Sequence, residues 1–103
     1  MSAQKRDTKT YTFEFNRPRR DDYRGIRRRL EAAGLEVDKL PHKTLLRLRR
    51  NPDKLPWSDF LNLLVRAVDP RRGSFVLNSL TTGRAWTMSN AGNRPGELVD
   101  VED

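Results

Sequence analysis

The chain has 103 residues, a formal net charge of +7 and no cysteine. Such a length holds one domain with one modest core, and the missing cysteines exclude a disulfide framework, a zinc–thiolate site and a thiol nucleophile. A single histidine, His42, excludes a multi-histidine metal cluster, and neither a metal nor a cofactor is expected.

The charge is unevenly spread. Glu97, Asp100, Glu102 and Asp103 fall in the last seven residues, so removing these four acids from the count of +7 leaves +11 on residues 1–96. Arginine predominates over lysine, and its planar fork suits bidentate phosphate contacts. No apolar run approaches the roughly 20 residues of a membrane helix, and the opening residues Met1 to Lys9 lack the apolar stretch of a secretory leader. A cytoplasmic, membrane-free protein is the expectation.

Residues 1–9 carry no apolar period and predict a flexible lead-in. Thr10 to Asn16 alternates, with Tyr11, Phe13 and Phe15 on one face and Thr10, Thr12, Glu14 and Asn16 on the other, which predicts a half-buried strand. Pro18 stops it. Asp21 or Asp22 can then cap a helix whose apolar stripe is Tyr23, Ile26, Leu30 and Ala33, ended by Gly34. Leu35 to Leu40 and Thr44 to Arg49 predict two strands joined by a hairpin at Pro41-His42-Lys43.

After the turn-rich stretch Asn51 to Pro56, the residues Trp57, Leu61, Leu64 and Val68, widened by Phe60, Leu63 and Val65, predict a second helix that Pro70 stops after Asp69. Ser74 to Leu80 and Arg84 to Ser89 predict two further strands around Thr82-Gly83. Asn90 to Asp103, rich in Gly, Asn, Pro and acids, predicts a disordered acidic tail. The order strand, helix, strand, strand, helix, strand makes an α+β, ferredoxin-like βαββαβ sandwich over residues 10–89, one sheet covered by two helices, with an extra C-terminal strand. Exchange of that strand, Arg84 to Ser89, between the protomers of a homodimer would satisfy its edge.

Two basic clusters stand out. Arg20, Arg24, Arg27 and Arg28 are spaced as neighbours along the first helix, with Arg17 and Arg19 before it. Arg47, Arg49 and Arg50 lie on the polar side of the third strand and the loop after it, with Lys43 adjoining. Both could contact phosphates, and the competing reading is a solvated charged surface. Tyr11 and Trp86 could stack bases if they faced outward, although large aromatics usually form core. Catalysis finds little support: Glu14, Asp21, Asp22 and Asp38 are dispersed, and His42, assisted by Glu14 or Tyr11, is the one candidate acid–base centre.

The motif Tyr11-x-x-x-Phe15-Asn16-x-Pro18 followed by an Arg-bearing helix, together with Asp69-Pro70 after the second, resembles the ferredoxin-fold CRISPR-associated nuclease and integration subunits, with the VapD-type and GhoS-type small endoribonucleases. The resemblance spans about residues 10–89. It implies a homodimer with an exchanged final strand, and in the metal-dependent members an acid at the end of the first strand. Asn16 stands there in this chain, a poor Mg²⁺ ligand by itself, so a binding role outlasts the catalytic one.

These readings converge on sequence-independent nucleic-acid binding, RNA preferred, by a basic dimeric domain of the toxin–antitoxin or CRISPR-associated kind. The alternatives are an inhibitor or antitoxin docking on an acidic protein, and a metal-independent endoribonuclease relying on His42.

Overall fold

The computed structural model describes residues 8–89. The expected lead-in therefore falls almost wholly, and the expected acidic tail wholly, outside the described residues. Strand β1 (Lys9–Asn16) is followed by a 3-10 turn (Arg19–Asp21), helix α1 (Tyr23–Ala32), strands β2 (Glu36–Lys39) and β3 (Leu45–Arg50), helix α2 (Trp57–Ala67), and strands β4 (Ser74–Ser79) and β5 (Ala85–Ser89). The molecule is a small α+β domain. No helix among the described residues is long and apolar enough to cross a membrane.

The five strands form one antiparallel sheet in the order β2-β3-β1-β4-β5. Register follows from the alternation in β1. Tyr11 lies opposite Leu48 and Ser79, and Phe13 opposite Leu46 and Leu77, so the apolar residues of three strands share a face. A one-residue slip would turn Tyr11, Phe13 and Phe15 to solvent, which fixes the pairing. Both helices cover this face: Ile26 and Leu30 of α1, and Phe60, Leu61 and Leu64 of α2, are buried in the same core as Phe13, Phe75 and Leu77. The opposite face of the sheet carries Thr10, Thr12, Glu14, Asn16, Val76, Asn78 and Thr87, and no helix among the described residues covers it.

Local signals set the element ends. Asp22, not Asp21, caps α1, its Oδ1 accepting the Gly25 N–H at 2.7 Å. Gly34 adopts φ 102° immediately beyond the helix, a conformation costly for a residue with a Cβ, and its N–H returns to the Glu31 carbonyl. Helix α2 ends at Ala67, two residues before the expected stop. Val68 is extended and bridges Pro18, while the carboxylate of Asp69 takes the N–H groups of Arg71 and Arg72 at 2.8 and 3.0 Å. That Asx turn brings the chain into β4 and presses Gly73 against Asp69, where a Cβ would lie 2.5 Å from the Asp69 nitrogen.

The segment expected to be exchanged between protomers, Arg84 to Ser89, pairs as β5 with β4 of its own chain, Phe75 opposite Met88 and Leu77 opposite Trp86. A short reversal makes this possible: Ser79 N–H donates to the Arg84 carbonyl at 2.8 Å, and Gly83 turns the chain at φ 79°.

Candidate functional site

Cations without an ion-pair partner among the described residues gather on the helix side of the molecule. Strand alternation and helix packing bury the apolar stripe of α1, so its remaining faces carry arginines by default. Their placement differs from the single stripe expected. Helix α1 starts at Tyr23, which leaves Arg20 outside its periodicity, and the basic residues divide between two clefts that flank the helix.

One cleft, about 410 Å³ and lying between α1 and α2, is lined by Arg19, Arg20, Arg29 and Arg66 with a single carboxylate, Asp22. The other, about 430 Å³ and lying between α1 and the β2–β3 hairpin, is lined by Tyr23, Arg24, Arg27, Arg28, Lys39 and Lys43, again with one carboxylate, Glu31. Each carboxylate is engaged: Asp22 sits 3.6 Å from Arg29, and Glu31 sits 3.4 Å from Arg27. Arg19, Arg20, Arg24, Arg28, Arg66 and Lys39 have no ion-pair partner among the described residues. The Lys43 ammonium lies 4.6 Å from the centroid of the Tyr23 ring. Arg29, Lys39 and Arg66 escape a reading based on charge runs. They are recoverable from period alone, since Lys39 shares the helix-side face of Val37 and Arg66 lies opposite the apolar stripe of α2.

The segment leading into α1 is strained. Arg17, Arg20 and Asp21 have φ of 56°, 60° and 53°, left-handed conformations that cost side-chain-bearing residues about 1–2 kcal/mol each. Three hydrogen bonds hold them: Asp21 N–H to the Pro18 carbonyl, Asp22 N–H to Arg19, and Asp69 N–H to Arg17. The double reversal places Arg19 and Arg20 over the α1–α2 cleft rather than along the helix. Arg17 is exposed but lines neither cleft. Nearby, the backbone N–H groups of Arg71 and Arg72, with the Arg72 guanidinium 3.4 Å away, hold the Asp69 carboxyl below its usual range.

The strand cluster is different in kind. Arg47 and Arg49 do face the uncovered side of the sheet, but register sets Asp38 opposite Arg47 and Glu36 opposite Arg49. Arg47 donates from Nε and Nη2 to Asp38 at 3.2 and 3.0 Å, and Arg49 lies 3.3 Å from Glu36 and 3.4 Å from Asp38. Two cations are thus balanced by two acids, and both lie on the side of the sheet away from α1. Lys43, grouped with them by sequence, belongs instead to the cleft beside α1.

Arg50 leaves the surface altogether. Strand β3 extends through it, so it shares the inward face of Leu46 and Leu48 and is fully buried. Its guanidinium donates to the Tyr11 hydroxyl from Nε and Nη2 at 3.2 and 2.9 Å and to the Leu55 carbonyl at 3.0 Å, within 5.3 Å of the Trp57 and Phe60 rings. It is a core residue that gathers aromatic rings and cannot meet a macromolecular anion.

Tyr11 and Trp86 are likewise buried, which removes them from any stacking surface. His42 is exposed in the β2–β3 turn and makes no side-chain hydrogen bond or ion pair among the described residues, and Tyr11 lies inside the core where it cannot assist. No three Asp, Glu or His side chains converge among the described residues. Comparison with protein-family models, with curated proteins and with solved structures returned no match to this chain.

Proposed function

We propose that the protein binds nucleic acid without sequence preference, through phosphate contacts made by the helix side. One observation carries this reading: cations from four separate elements line two adjoining clefts with almost no compensating acid, whereas those on the opposite side of the sheet are neutralised. Like charges crowded on one surface repel one another and raise the local concentration of anions. A repeating anion such as a phosphodiester chain meets several of them at once. The strained entry into α1 supports the same reading, because left-handed arginines persist where their placement is used.

The element order and the strand order β2-β3-β1-β4, with β5 added outside β4, support a ferredoxin-like arrangement. The reading needs only one protomer, since both clefts are built within it.

Binding of a fluorescent oligonucleotide measured against salt tests the proposal. Each neutralised phosphate contributes a slope of about −0.7 for single strands, so engagement of four to seven of these cations gives roughly −3 to −5. Absence of binding at low salt, or a slope shallower than about −1, refutes phosphate contact and favours docking on an acidic protein.

A further inference from the structure

The chain has eight aromatic residues, and all but Tyr23 are buried. Tyr23 is half-buried at the first turn of α1, and it stands in the cleft that holds Arg24, Arg28, Lys39 and Lys43. The uncovered face of the sheet, by contrast, carries no aromatic residue among those described. If this protein recognises anything beyond phosphate, the ring available for it is Tyr23.

The surroundings of that ring are specific. Phe15 packs against it from the core at 6.2 Å between centroids, tilted by 36°, which fixes its plane. Lys43 lies over it at 4.6 Å. An ammonium on an aromatic face is a weak and exchangeable partner, and Lys43 makes no ion pair among the described residues, the one carboxylate of the cleft, Glu31, lying against Arg27. The cleft volume of about 430 Å³ falls within the ~300–1,000 Å³ in which small ligands are held.

Resting on the nucleic-acid reading above, we propose that this cleft takes one nucleotide of a single strand, its base stacked on Tyr23. The base displaces the Lys43 ammonium from the ring. Its flanking phosphates lie against Arg24, Arg28 and Lys39, and Lys43 moves from ring to phosphate. A duplex cannot use the site, because its base faces are already stacked on one another, whereas an unpaired base offers its π face whatever its identity. The protein therefore prefers single strands to duplexes of equal charge and has little sequence preference.

The test compares three probes, a short adenine oligomer, a duplex of the same length and linear inorganic polyphosphate, on wild type, Tyr23→Phe and Tyr23→Leu. Wild type binds the oligomer more tightly than polyphosphate or duplex. Tyr23→Leu loses about tenfold or more for the oligomer while its polyphosphate affinity stays within about twofold, and Tyr23→Phe retains the difference. In NMR spectra the Tyr23 ring protons shift upfield with the oligomer and not with polyphosphate, a readout that needs no variant. Equal losses for all probes in Tyr23→Leu, or a duplex bound as tightly as the single strand, overturns the stacking assignment while leaving phosphate binding intact. Failure of wild type to bind any of the three overturns both.

Discussion

Replacing Arg50 with alanine tests whether this arginine serves the core rather than the surface. Truncating a large buried side chain to alanine costs about 2–5 kcal/mol in cavity and lost contacts. The Leu55 carbonyl and Tyr11 hydroxyl, left without their guanidinium, add about 1–3 kcal/mol each. Against these stands the relief of no longer burying a cation, worth several kcal/mol. The balance for Arg50→Ala is a loss of about 3–5 kcal/mol, which at roughly 4–8 °C per kcal/mol for a domain of this size lowers the melting temperature by about 12–40 °C. Arg50→Met keeps the apolar volume, sheds the desolvation penalty and stays within about 2 kcal/mol of wild type. Thermal unfolding followed by circular dichroism gives both numbers, and oligonucleotide affinity measured well below the transition is unchanged in both variants. An Arg50→Ala protein that melts within about 4 °C of wild type yet binds oligonucleotide more weakly refutes the placement.

Three other substitutions separate stability from binding. Asp22→Ala removes the α1 cap and lowers stability by about 1 kcal/mol. It also releases Arg29, so polyanion affinity rises while the melting temperature falls. Gly73→Ala forces a Cβ against the Asp69 backbone and costs about 1–3 kcal/mol in denaturant unfolding. Asp69 has its folded-state pKa held below the unfolded value, so its stabilising contribution is present above the unfolded pKa and is lost as pH falls below about 4. Asp69→Asn keeps an acceptor for the Arg71 and Arg72 N–H groups but does not titrate. Its stability therefore declines less steeply than wild type in acid.

Much of the fold is legible in particular residues. The alternation from Tyr11 to Phe15 names the inward face of β1, Leu46 and Leu48 name that of β3, and Gly34 marks the end of α1 within a residue. What was not legible depends on long-range pairing. Arg50 looks like a loop cation because the turn-rich segment begins beside it. Only when β3 continues through it does its parity with Leu48 turn it inward. Arg47 and Arg49 look unopposed along the chain, and the β2–β3 register supplies their acids from residues nine and thirteen positions earlier.

Val68 continues the apolar stripe of α2, yet its bridge to Pro18 pulls it out of the helix. The basic site shows the same pattern. Sequence spacing groups Arg20 with Arg24, Arg27 and Arg28, but left-handed Arg20 and Asp21 send Arg19 and Arg20 to the other side of the helix. Non-glycine residues at positive φ leave no compositional signal. The basic character was legible in composition and the arginines of α1 in their spacing, whereas the division of this charge into two clefts required the third dimension.

If the phosphate contacts proposed above are made on the helix side and not on the sheet side, a charge-matched pair of double variants tells the two faces apart. Arg24→Gln/Arg28→Gln and Arg47→Gln/Arg49→Gln each remove the same formal charge, so a difference between them reports position rather than net charge. The helix-side pair should weaken oligonucleotide binding at low salt by about tenfold or more and flatten the salt slope by roughly 1.4, about 0.7 for each lost phosphate contact. The sheet-side pair should change affinity by no more than about threefold, since its arginines already spend their charge on Glu36 and Asp38. Equal losses in the two variants, or a larger loss from the sheet side, would rule out the helix-side clefts as the site of phosphate contact.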